Sequence, residues 1–354
     1  MDLALGRRLR ELPGPILLTG HTGFKGTWLT IMLERLSVPV VGLSLAPLEN
    51  SLFSRADREG KIQEIFTDIC GYPQVEKFVF ETQPSLIIHM AAQPLVMGSY
   101  KAPRETFATN VMGTVNILNC AFACDSVEAV GVVTTDKVYR NDDSGRAFVE
   151  SDPLAGKDPY SASKVGAEAA VAAWQHIRKI SGGPRVISLR AGNVIGGGDW
   201  AEDRLLPDLV KGFWEGKQVD VRNPESTRPW QHVLDPLRGY LMTLECALAG
   251  TDVDAINFGP SDASLKVQEV VKVAQNAWPT PTTVAFSESD SKFASEAVSL
   301  QLDSNRAHTL LGWDMKWSQS EAVTATIDWW DKVLNNGMHP HEACIQDIES
   351  ALVY

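Results

Sequence analysis

Cysteine is scarce in this chain, and its distribution argues against disulfides and metal sites. Five of the 354 residues are cysteines, the count is odd, and no Cys-x-x-Cys pair occurs. A chain of this length can bury a full core without disulfides, so we expect reduced thiols. Cys120 and Cys124 are one helical turn apart, but no further ligands stand near them in the sequence, which favours helix packing. We therefore expect no metal site.

The chain also lacks an excess of positive charge and any long hydrophobic run. Its formal net charge is −12 and its pI about 5.1, which argues against nucleic acid or an acidic membrane as a partner. No segment approaches the roughly 20 apolar residues of a membrane helix, and residues 1–14 lack the apolar core of a secretory signal. We expect a cytoplasmic protein without nucleic-acid or membrane partners. Any phosphorylated ligand must then be held by local cations, and the candidates are His21, Lys25, Arg190, Arg204 and Arg228.

Hydrophobic segments that alternate with helical ones predict the fold class. The segments that favour strands are residues 15–20, 38–45, 84–92, 127–136 and 184–192. Because they are apolar on both faces, they indicate an α/β fold with a doubly wound parallel sheet of the Rossmann type. Residues 160–180 are rich in alanine, contain no proline and predict one long helix. After Gly192 the sequence is richer in glycine, proline and tryptophan. This composition indicates a smaller, mixed C-terminal part that carries substrate specificity.

The stretch Pro15–Leu29, PILLTGHTGFKGTWL, is typical of a nucleotide-binding turn. Gly20, Gly23 and Gly26 follow a predicted strand and open a predicted helix, so the backbone can approach a pyrophosphate at the helix N-terminus. The spacing Gly-x-x-Gly-x-x-Gly resembles that of the extended branch of the short-chain dehydrogenase/reductase superfamily. The resemblance implies a dinucleotide cofactor.

The second predicted strand ends without the carboxylate that a dinucleotide site usually places against the adenosine ribose. Ser44 occupies that position, so cofactor binding would be weaker or the choice between NAD and NADP less strict. We hypothesise that His21 and Lys25 compensate by approaching the phosphates; the alternative is that both point to solvent. Asp68, after the third strand, matches the place where the superfamily holds the adenine. Its alternative interpretation is a capping or surface aspartate.

Tyr160 and Lys164 are four residues apart at the start of the long helix and therefore share one face. In the superfamily that the chain resembles, this pair serves hydride transfer: the ammonium lowers the phenol pKa, and the phenolate takes a proton from a substrate hydroxyl. The alternative, an unrelated surface tyrosine and lysine, is disfavoured by the glycine loop upstream. Thr135, at a strand end, is the expected third member, and its hydroxyl would bond the reacting sugar oxygen.

Asp136 and Lys137 stand directly after Thr135, and a simple dehydrogenase or epimerase would need neither. Nucleotide-sugar 4,6-dehydratases carry Thr-Asp-Glu at this point, whereas this chain has Thr-Asp-Lys. That departure, with GHTGFKGTWL, RAGNVIGGGDW and RPWQHVLDPLRGYL, closely resembles the CDP-glucose 4,6-dehydratase family from the glycine loop to about Trp330. The resemblance implies NAD as cofactor and CDP-glucose as substrate.

The same resemblance implies a reaction and roles for these residues. Carbon 4 of the sugar is oxidised with Tyr160 as base, water is lost across carbons 5 and 6 with Asp136 as acid, and the hydride returns to carbon 6. Lys137 is either a neutral base at carbon 5 or a charged group that stabilises the enolate. The first role requires a pKa well below the ordinary value of about 10.4.

Further binding residues, domains and assembly also follow from the resemblance. The cofactor-binding residues it implies are Tyr160, Lys164, Gly20, His21, Gly23, Phe24, Lys25, Gly26, Ser44, Asp68, Ile69, Ala91 and Ala92. The substrate-binding residues are Gln93, Asn193, Arg204, Arg228 and Trp230. The arginines would face the diphosphate, Trp230 is equally consistent with core packing, and His232 is expected to be structural. Residues 1–190 with about 228–258 would bind NAD, and 191–227 with 259–354 the substrate. A homodimer is expected, because the long helix often pairs with its symmetry mate in this superfamily.

Two other functions stay open at this point. One is an epimerase or decarboxylase of the same superfamily, or a dehydratase for another base or sugar. The other is a catalytically silent nucleotide-binding regulator with the same fold. The complete set of Thr135, Tyr160 and Lys164 argues against the regulator. Asp199 and Trp200 are interpreted as residues that only shape a loop.

Overall fold

A seven-stranded parallel sheet lies at the centre of the computed structural model, which describes residues 5–142, 144–287 and 300–352. The strands are β1 (Ile16–Thr19), β2 (Val40–Ser44), β3 (Gln63–Phe66), β4 (Leu86–His89), β5 (Ala129–Val133), β6 (Ala147–Phe148), β7 (Arg185–Ala191), β8 (Asn193–Ile195), β9 (Val219–Arg222), β10 (Thr227–Arg228), β11 (Trp230–His232), β12 (Ala255–Phe258), β13 (Leu265–Lys266), β14 (Val284–Ser287) and β15 (Gln301–Leu302). The order in the large sheet is β12-β7-β5-β4-β1-β2-β3. The order reverses between β1 and β4, which is where doubly wound sheets bind ligands. The predicted fold class is confirmed.

The five predicted strands correspond to β1, β2, β4, β5 and β7. All residues of β1, β4 and β5 are buried, as expected for strands covered on both faces. The sequence did not delimit β3, because this edge strand is half exposed and its segment QEIF is not an apolar run. It also did not delimit β12, a short strand that joins the sheet beside β7.

Helices cover both faces of the sheet. They are α1 (Arg7–Arg10), α2 (Phe24–Arg35), α3 (Leu52–Arg55), α4 (Tyr72–Thr82), α5 (Val96–Lys101), α6 (Pro103–Phe107), α7 (Gly113–Ala123), α8 (Pro159–Ser181), α9 (Leu205–Trp214), α10 (Leu234–Leu248), α11 (Val267–Ala277), α12 (Asn305–Leu311), α13 (Gln319–Leu334) and α14 (Pro340–Leu352). A π-helical turn, Ala108–Met112, joins α6 to α7. The predicted long helix is α8, capped by the side chain of Asp158, which accepts the N–H of Ser161 at 3.0 Å.

Two hydrophobic cores lie on opposite faces of the sheet. Neighbouring residues of β1 alternate between them: Leu18 packs into the core with Trp28 and Trp329, and Leu17 into the core with Ile117. Among the described residues, the C-terminal half adds the two-stranded sheets β8 with β11, β9 with β14 and β10 with β13, and its strand β15 pairs with β6. We call these small sheets the C-terminal layer. Because β8 follows β7 almost directly, the C-terminal layer begins at the carboxyl edge of the large sheet.

Membrane helices and metal clusters are absent from the part of the chain that the structure describes. No helix there is long and apolar enough to cross a membrane. Likewise, residues 5–142, 144–287 and 300–352 contain no group of three or more His, Cys, Asp and Glu side chains that could hold a metal ion. Cys120 and Cys124 are unpaired and lie in the core beside α7, in agreement with the packing interpretation.

Candidate active site

The glycine loop between β1 and α2 excludes side chains and fits a dinucleotide. Gly20 has a φ of +76°, and a Cβ there would lie 2.8 Å from the backbone nitrogen of Ala91. A Cβ on Gly26 would collide with the carbonyl oxygen of Gly20. Helix α2 begins after Gly23 and has no acidic residue in its first turn. Gly20 and Gly26 therefore let the loop pack tightly against its own backbone, and the exposed Gly23 leaves the N-terminus of α2 open to an anionic group such as a diphosphate.

Hydroxyl groups stand at the end of β2, where dinucleotide sites usually have a carboxylate. Ser44 is buried, and its Oγ lies 2.7 Å from Oγ1 of Thr22. The Thr22 hydroxyl also lies 3.0 Å from the carbonyl oxygen of Leu45, to which it donates. The site therefore offers neutral hydroxyl groups, and no negative charge, at this strand end.

The adenine-side candidates are engaged within the protein. Asp68 is exposed and accepts a hydrogen bond from the backbone N–H of Cys70 at 2.8 Å, so it caps its own turn. The Ile69 side chain is buried, and a Cβ on Gly113 would lie 2.6 Å from it. Ala91, two residues after the end of β4, donates its N–H to the Thr19 hydroxyl at 3.1 Å, and Ala92 follows it. Contacts of these residues with a cofactor stay predictions.

His21 lies in the interior of the protein. Its side chain is fully buried, and Nε2 is 2.7 Å from Oε2 of Glu64 on β3. The ring lies over Gly42 of β2, where a Cβ would come within 2.6 Å of Nδ1. Burial lowers the pKa of His21, and the hydrogen bond and charge of Glu64 oppose this. The alternative that His21 points to solvent is therefore wrong, and its contact with phosphates stays a prediction.

Lys25, the other basic residue of the loop, faces the catalytic candidates. Its Nζ donates to the phenol oxygen of Tyr240 on α10 at 3.5 Å. Burial, followed by the charges of Lys164 and Arg204, lowers the pKa of Lys25 to about 7, and the charge of Asp136 opposes this. The solvent-facing alternative is wrong for Lys25 as well.

Thr135 and Asp136 stand where β5 ends and a 3₁₀ turn, Asp136–Val138, begins. The Thr135 hydroxyl donates to Oδ1 of Asp136 at 2.9 Å and accepts the N–H of Lys137 at 3.3 Å. Asp136 is buried, and its Oδ2 has no hydrogen-bond partner among the described residues. Burial raises the pKa of Asp136, while Lys137, Thr135 and Arg228 lower it. A carboxyl whose pKa is raised by burial, with one oxygen available, is suited to donate a proton.

Tyr160 and Lys164 project from the first turns of α8 toward the same place. Burial raises the pKa of Tyr160 to about 12, while the Thr135 hydroxyl and the charge of Arg204 lower it. Lys164 is buried, and its Nζ donates to the carbonyl oxygen of Val133, at the end of β5, at 3.1 Å. Burial lowers the pKa of Lys164 to about 8. The structure thus brings the predicted threonine, tyrosine and lysine together.

Lys137 is half buried beside this cluster. Its charge lowers the pKa of Asp136, so the two side chains are electrostatically coupled. Both roles considered for Lys137, neutral base or charged stabiliser, stay predictions.

Two predicted arginines approach the cluster from the C-terminal layer. Arg204 is the residue before α9, and its guanidinium lies 2.8 Å from Oδ2 of Asp199. Its charge lowers the pKa of Tyr160. Arg228, on β10, is buried, and its charge lowers the pKa of Asp136. Positive charge therefore collects beside the catalytic candidates in an acidic protein.

The other substrate-side candidates differ in their surroundings. Asn193 is half buried on β8, opposite Trp230 of β11. Trp230 is buried in the larger core, which favours the packing interpretation. Gln93 is engaged in its own loop, since Nε2 donates to Thr106 at 3.2 Å and Oε1 accepts the N–H of Leu95.

His232 and Arg190 are structural. His232 is fully buried against the rings of Trp28 and Trp317, in agreement with the structural interpretation. Arg190, considered above as a cation for a phosphorylated ligand, is buried in an ion pair with Glu168 of α8 at 2.8 Å. That candidate is therefore wrong, because its charge is already neutralised in the interior. Sequence reasoning missed Tyr240, which contacts Lys25 from far along the chain and carries no local signal.

Comparison with known proteins places the chain among nucleotide-sugar enzymes. The NAD dependent epimerase/dehydratase family matches residues 16–259. The CDP-glucose 4,6-dehydratase of Salmonella typhimurium is 38% identical to the chain over 323 residues, which cover 89% of each protein.

Solved structures share the fold. A dTDP-glucose 4,6-dehydratase from Streptomyces venezuelae with NAD bound has a TM-score of 0.78 and 23% identity, and the match covers 92% of this chain and 99% of that one. A UDP-glucose 4-epimerase from Thermotoga maritima has a TM-score of 0.76 and 20% identity, with 90% and 99% covered. The likeness at these identities concerns the fold alone, which the dehydratase and the epimerase have in common.

Proposed function

The chain belongs to the NAD-dependent epimerase/dehydratase family, and we propose that it dehydrates CDP-glucose to CDP-4-dehydro-6-deoxyglucose. The observation that carries the proposal is the Asp136 carboxyl, which is buried beside Thr135 with one oxygen unpartnered among the described residues. An epimerase needs a base for the carbon-4 hydroxyl but no acid for a departing hydroxyl. The additional buried acid therefore favours loss of water. The 38% identity to the Salmonella enzyme supports CDP-glucose as the substrate.

The glycine loop supports NAD as the cofactor, because Gly23 is exposed at the N-terminus of α2 and the first turn of that helix carries no acidic residue. The residues proposed to hold NAD are Gly20, His21, Gly23, Phe24, Lys25 and Gly26 around the diphosphate, Ser44, Asp68, Ile69, Ala91 and Ala92 around the adenosine half, and Tyr160 with Lys164 at the nicotinamide half. NAD held by these residues would supply the hydride acceptor for carbon 4 and, once reduced, the hydride donor for carbon 6.

Tyr160 is the proposed base for the carbon-4 hydroxyl. As that hydroxyl becomes a ketone, its proton passes to the phenol oxygen, and the Thr135 hydroxyl bonds the same sugar oxygen. The phenol pKa of about 12 must fall for this step, and positive charge is what lowers it. Arg204 already acts in that direction. The ammonium of Lys164, one turn further along α8, is proposed to hold the ribose.

Asp136 is the proposed acid for the elimination. A ketone at carbon 4 acidifies the proton on carbon 5, which leaves to a base. The Asp136 proton passes to the carbon-6 oxygen, the carbon–oxygen bond breaks and water departs. Carbon 5 finally receives a proton that has exchanged with solvent. Lys137 is the candidate for the base or, if it stays charged, for stabilising the enolate.

The substrate diphosphate is proposed to lie between Arg204 and Arg228, with Asn193, Gln93 and Trp230 as further contacts. Both guanidinium groups act electrostatically on the catalytic side chains, which supports this position. We also propose that residues 1–190 with about 228–258 form the cofactor-binding domain and that 191–227 with 259–354 form the substrate-binding domain. We further propose that the protein forms a homodimer in which α8 pairs with its symmetry mate.

Product analysis by NMR tests the function. The enzyme is incubated with NAD and CDP-glucose in heavy water, and we expect a new methyl group at carbon 6 with deuterium at carbon 5. Substrate deuterated at carbon 4 should deliver that deuterium to the methyl group. UDP-glucose and dTDP-glucose, run in parallel, test the base. Formation of CDP-galactose without loss of water would show an epimerase, and absence of turnover with every nucleotide hexose despite NAD binding would indicate a silent regulator.

A further inference from the structure

The loop Gly196–Arg204 packs against helix α2 on one side and against Val233 and Trp329 of the C-terminal part on the other. A Cβ on Gly196 would lie 3.2 Å from the ring of Phe24, the first residue of α2, and 2.8 Å from Val233. Gly197 lies against the Trp329 ring so closely that a side chain would overlap it, and its carbonyl accepts the indole N–H of Trp28 at 2.9 Å. Gly196 and Gly197 thus let this loop approach α2, at whose N-terminus the proposed dinucleotide site begins.

The two residues that follow the glycines are also held. Trp200 packs edge-on against Trp330 with ring centroids 4.4 Å apart, and the guanidinium of Arg55 lies 5.2 Å from its ring centroid. Asp199 is 6% exposed, and its Oδ1 accepts the N–H of Ala201 at 3.1 Å. The backbone of Asp199 is therefore fixed, and its second oxygen, Oδ2, has a defined direction.

The guanidinium of Arg204 donates a hydrogen bond to Oδ2 of Asp199 at 2.8 Å. Arg204 is about one-third exposed, whereas the Asp199 side chain is 8% exposed, so the acid is the rigid partner of the pair. Among the charged groups that face Lys25 are Lys164 from α8, Asp136 after β5 and Arg204. Tyr160 is faced by Thr135, Asp136, Arg204 and Asp158. Arg204 is thus a cation whose charge acts on both Lys25 and Tyr160.

We infer that Asp199 is a positioning residue, whose carboxylate holds the Arg204 guanidinium turned inward toward Lys25 and Tyr160. Without this partner, an arginine that is one-third exposed at a helix start would extend into water, where its charge is solvated. The interpretation of Asp199 as a residue that only shapes its loop is thereby extended. The inference deepens the proposed function and rests on it only for the catalytic role of Tyr160, since the effect of the Arg204 charge on Lys25 does not depend on which reaction occurs.

The sign of a pKa change separates positioning from a simple charge effect. Asp199→Asn removes one negative charge and keeps the shape of the side chain. If Asp199 acted only through space, loss of its charge would lower the pKa of Lys25 and of Tyr160. If it holds Arg204 in place, a positive charge leaves both groups and both pKa values rise. The two explanations therefore predict opposite directions.

The Lys25 titration is measured by the ¹³C shift of its Cε in lysine-labelled enzyme without substrate, and the signal is assigned with Lys25→Met. We expect Asp199→Asn and Arg204→Gln each to raise the Lys25 pKa by roughly one unit, and the double variant to add little. The matched control is Asp203→Asn, which removes an equal charge from an exposed position in the same loop. A fall of the Lys25 pKa in Asp199→Asn, or an equal rise in Asp203→Asn, would overturn the inference.

A second measurement concerns Tyr160. With CDP-glucose, the acid limb of the kcat/KM profile should move to higher pH in Asp199→Asn, because a higher phenol pKa delays formation of the base. Asp199→Glu, which keeps the charge, should restore part of the shift. An unchanged acid limb together with a raised Lys25 pKa would leave Arg204 positioning intact and argue against Tyr160 as the base, so failure of the proposed function and failure of the inference are distinguishable.

Discussion

Nε2 of His21 lies 2.7 Å from Oε2 of Glu64, so a histidine of the glycine loop is tied to β3 across the intervening strand β2. The Phe66 ring stacks on the imidazole at 6.1 Å between centroids, and Phe53 meets it edge-on at 5.5 Å. Glu64 also accepts the N–H of Gly60 at 2.7 Å through its other oxygen. This buried contact stabilises the loop on which the dinucleotide would rest.

Glu64→Ala should destabilise the protein by about 2 kcal/mol, because it leaves the buried His21 Nε2 without a partner. The measurement is urea unfolding at neutral pH followed by circular dichroism. Glu59→Ala, which removes an exposed acid from the same segment, should change stability by less than about 0.5 kcal/mol. Equal effects of the two substitutions would show that the contact with His21 contributes nothing.

Asp136→Asn should lower kcat for CDP-glucose by about 10²- to 10⁴-fold, because the departing hydroxyl loses its proton donor. The defect should be smaller with CDP-6-deoxy-6-fluoroglucose, since fluoride leaves without full protonation. Tyr160→Phe, which acts at the earlier oxidation, should be equally impaired with both substrates. The readouts are product formation by NMR and fluoride release. A defect of Asp136→Asn that is the same for both substrates would contradict its assignment as the acid.

Once positive charge in the NAD-bound enzyme brings the Tyr160 pKa below 8, the kcat/KM profile should fall on its basic side near pH 8, where Lys164 loses its charge. Its pKa is lowered to about 8 by burial, so the ammonium that is proposed to hold the ribose is present below that pH and absent above it. Lys164→Arg keeps a charge at all accessible pH values and should remove this limb while lowering the rate. Lys179→Arg, on an exposed face of the same helix, should leave the profile unchanged. A basic limb that persists in Lys164→Arg belongs to another group.

Asp347→Asn should stabilise the protein most above pH 7, by a smaller amount at pH 5, and progressively less as pH approaches 4. Asp347 on α14 is nearly buried, its Oδ2 has no hydrogen-bond partner among the described residues, and burial raises its pKa to about 7. A folded-state pKa above the unfolded value means that the neutral form suits the fold, so stability is lost progressively as pH rises from the unfolded pKa of about 4 through the folded pKa of about 7. The expected gain at pH 8 is on the order of 2 kcal/mol by urea unfolding. The exposed Asp125→Asn should give no pH-dependent difference, and a gain of equal size at pH 5 would exclude this explanation.

Local patterns were enough to predict the parts of the site that are close together in the chain. Gly20, Gly23 and Gly26 sit within one turn, and their role depends on a strand before and a helix after them. Tyr160 and Lys164 share a helix face by spacing alone. The assignment of Asp136 depended on one residue pattern after Thr135, and its burial and unpartnered oxygen then supported the acid role.

The predictions that were wrong or incomplete concern charges whose partners are distant in the sequence. Arg190 is a residue type that often binds phosphate, yet its positive charge is neutralised in the interior by Glu168 of α8. His21 was expected either at phosphates or in solvent, and its partner Glu64 lies on an edge strand that the sequence did not delimit. Each of these contacts required knowledge of which strands and helices are neighbours.

The amino-acid sequence by itself determined the doubly wound sheet, the glycine turn and the tyrosine–lysine pair, because periodicity, glycine conformation and helix spacing are local properties. Only the tertiary structure decided which ionisable groups face one another, and with them the raised pKa of Asp136, the lowered pKa of Lys25 and the pairing of Asp199 with Arg204. The physical reason is that burial and charge act through space, so a side chain's protonation depends on neighbours that folding brings in from distant segments.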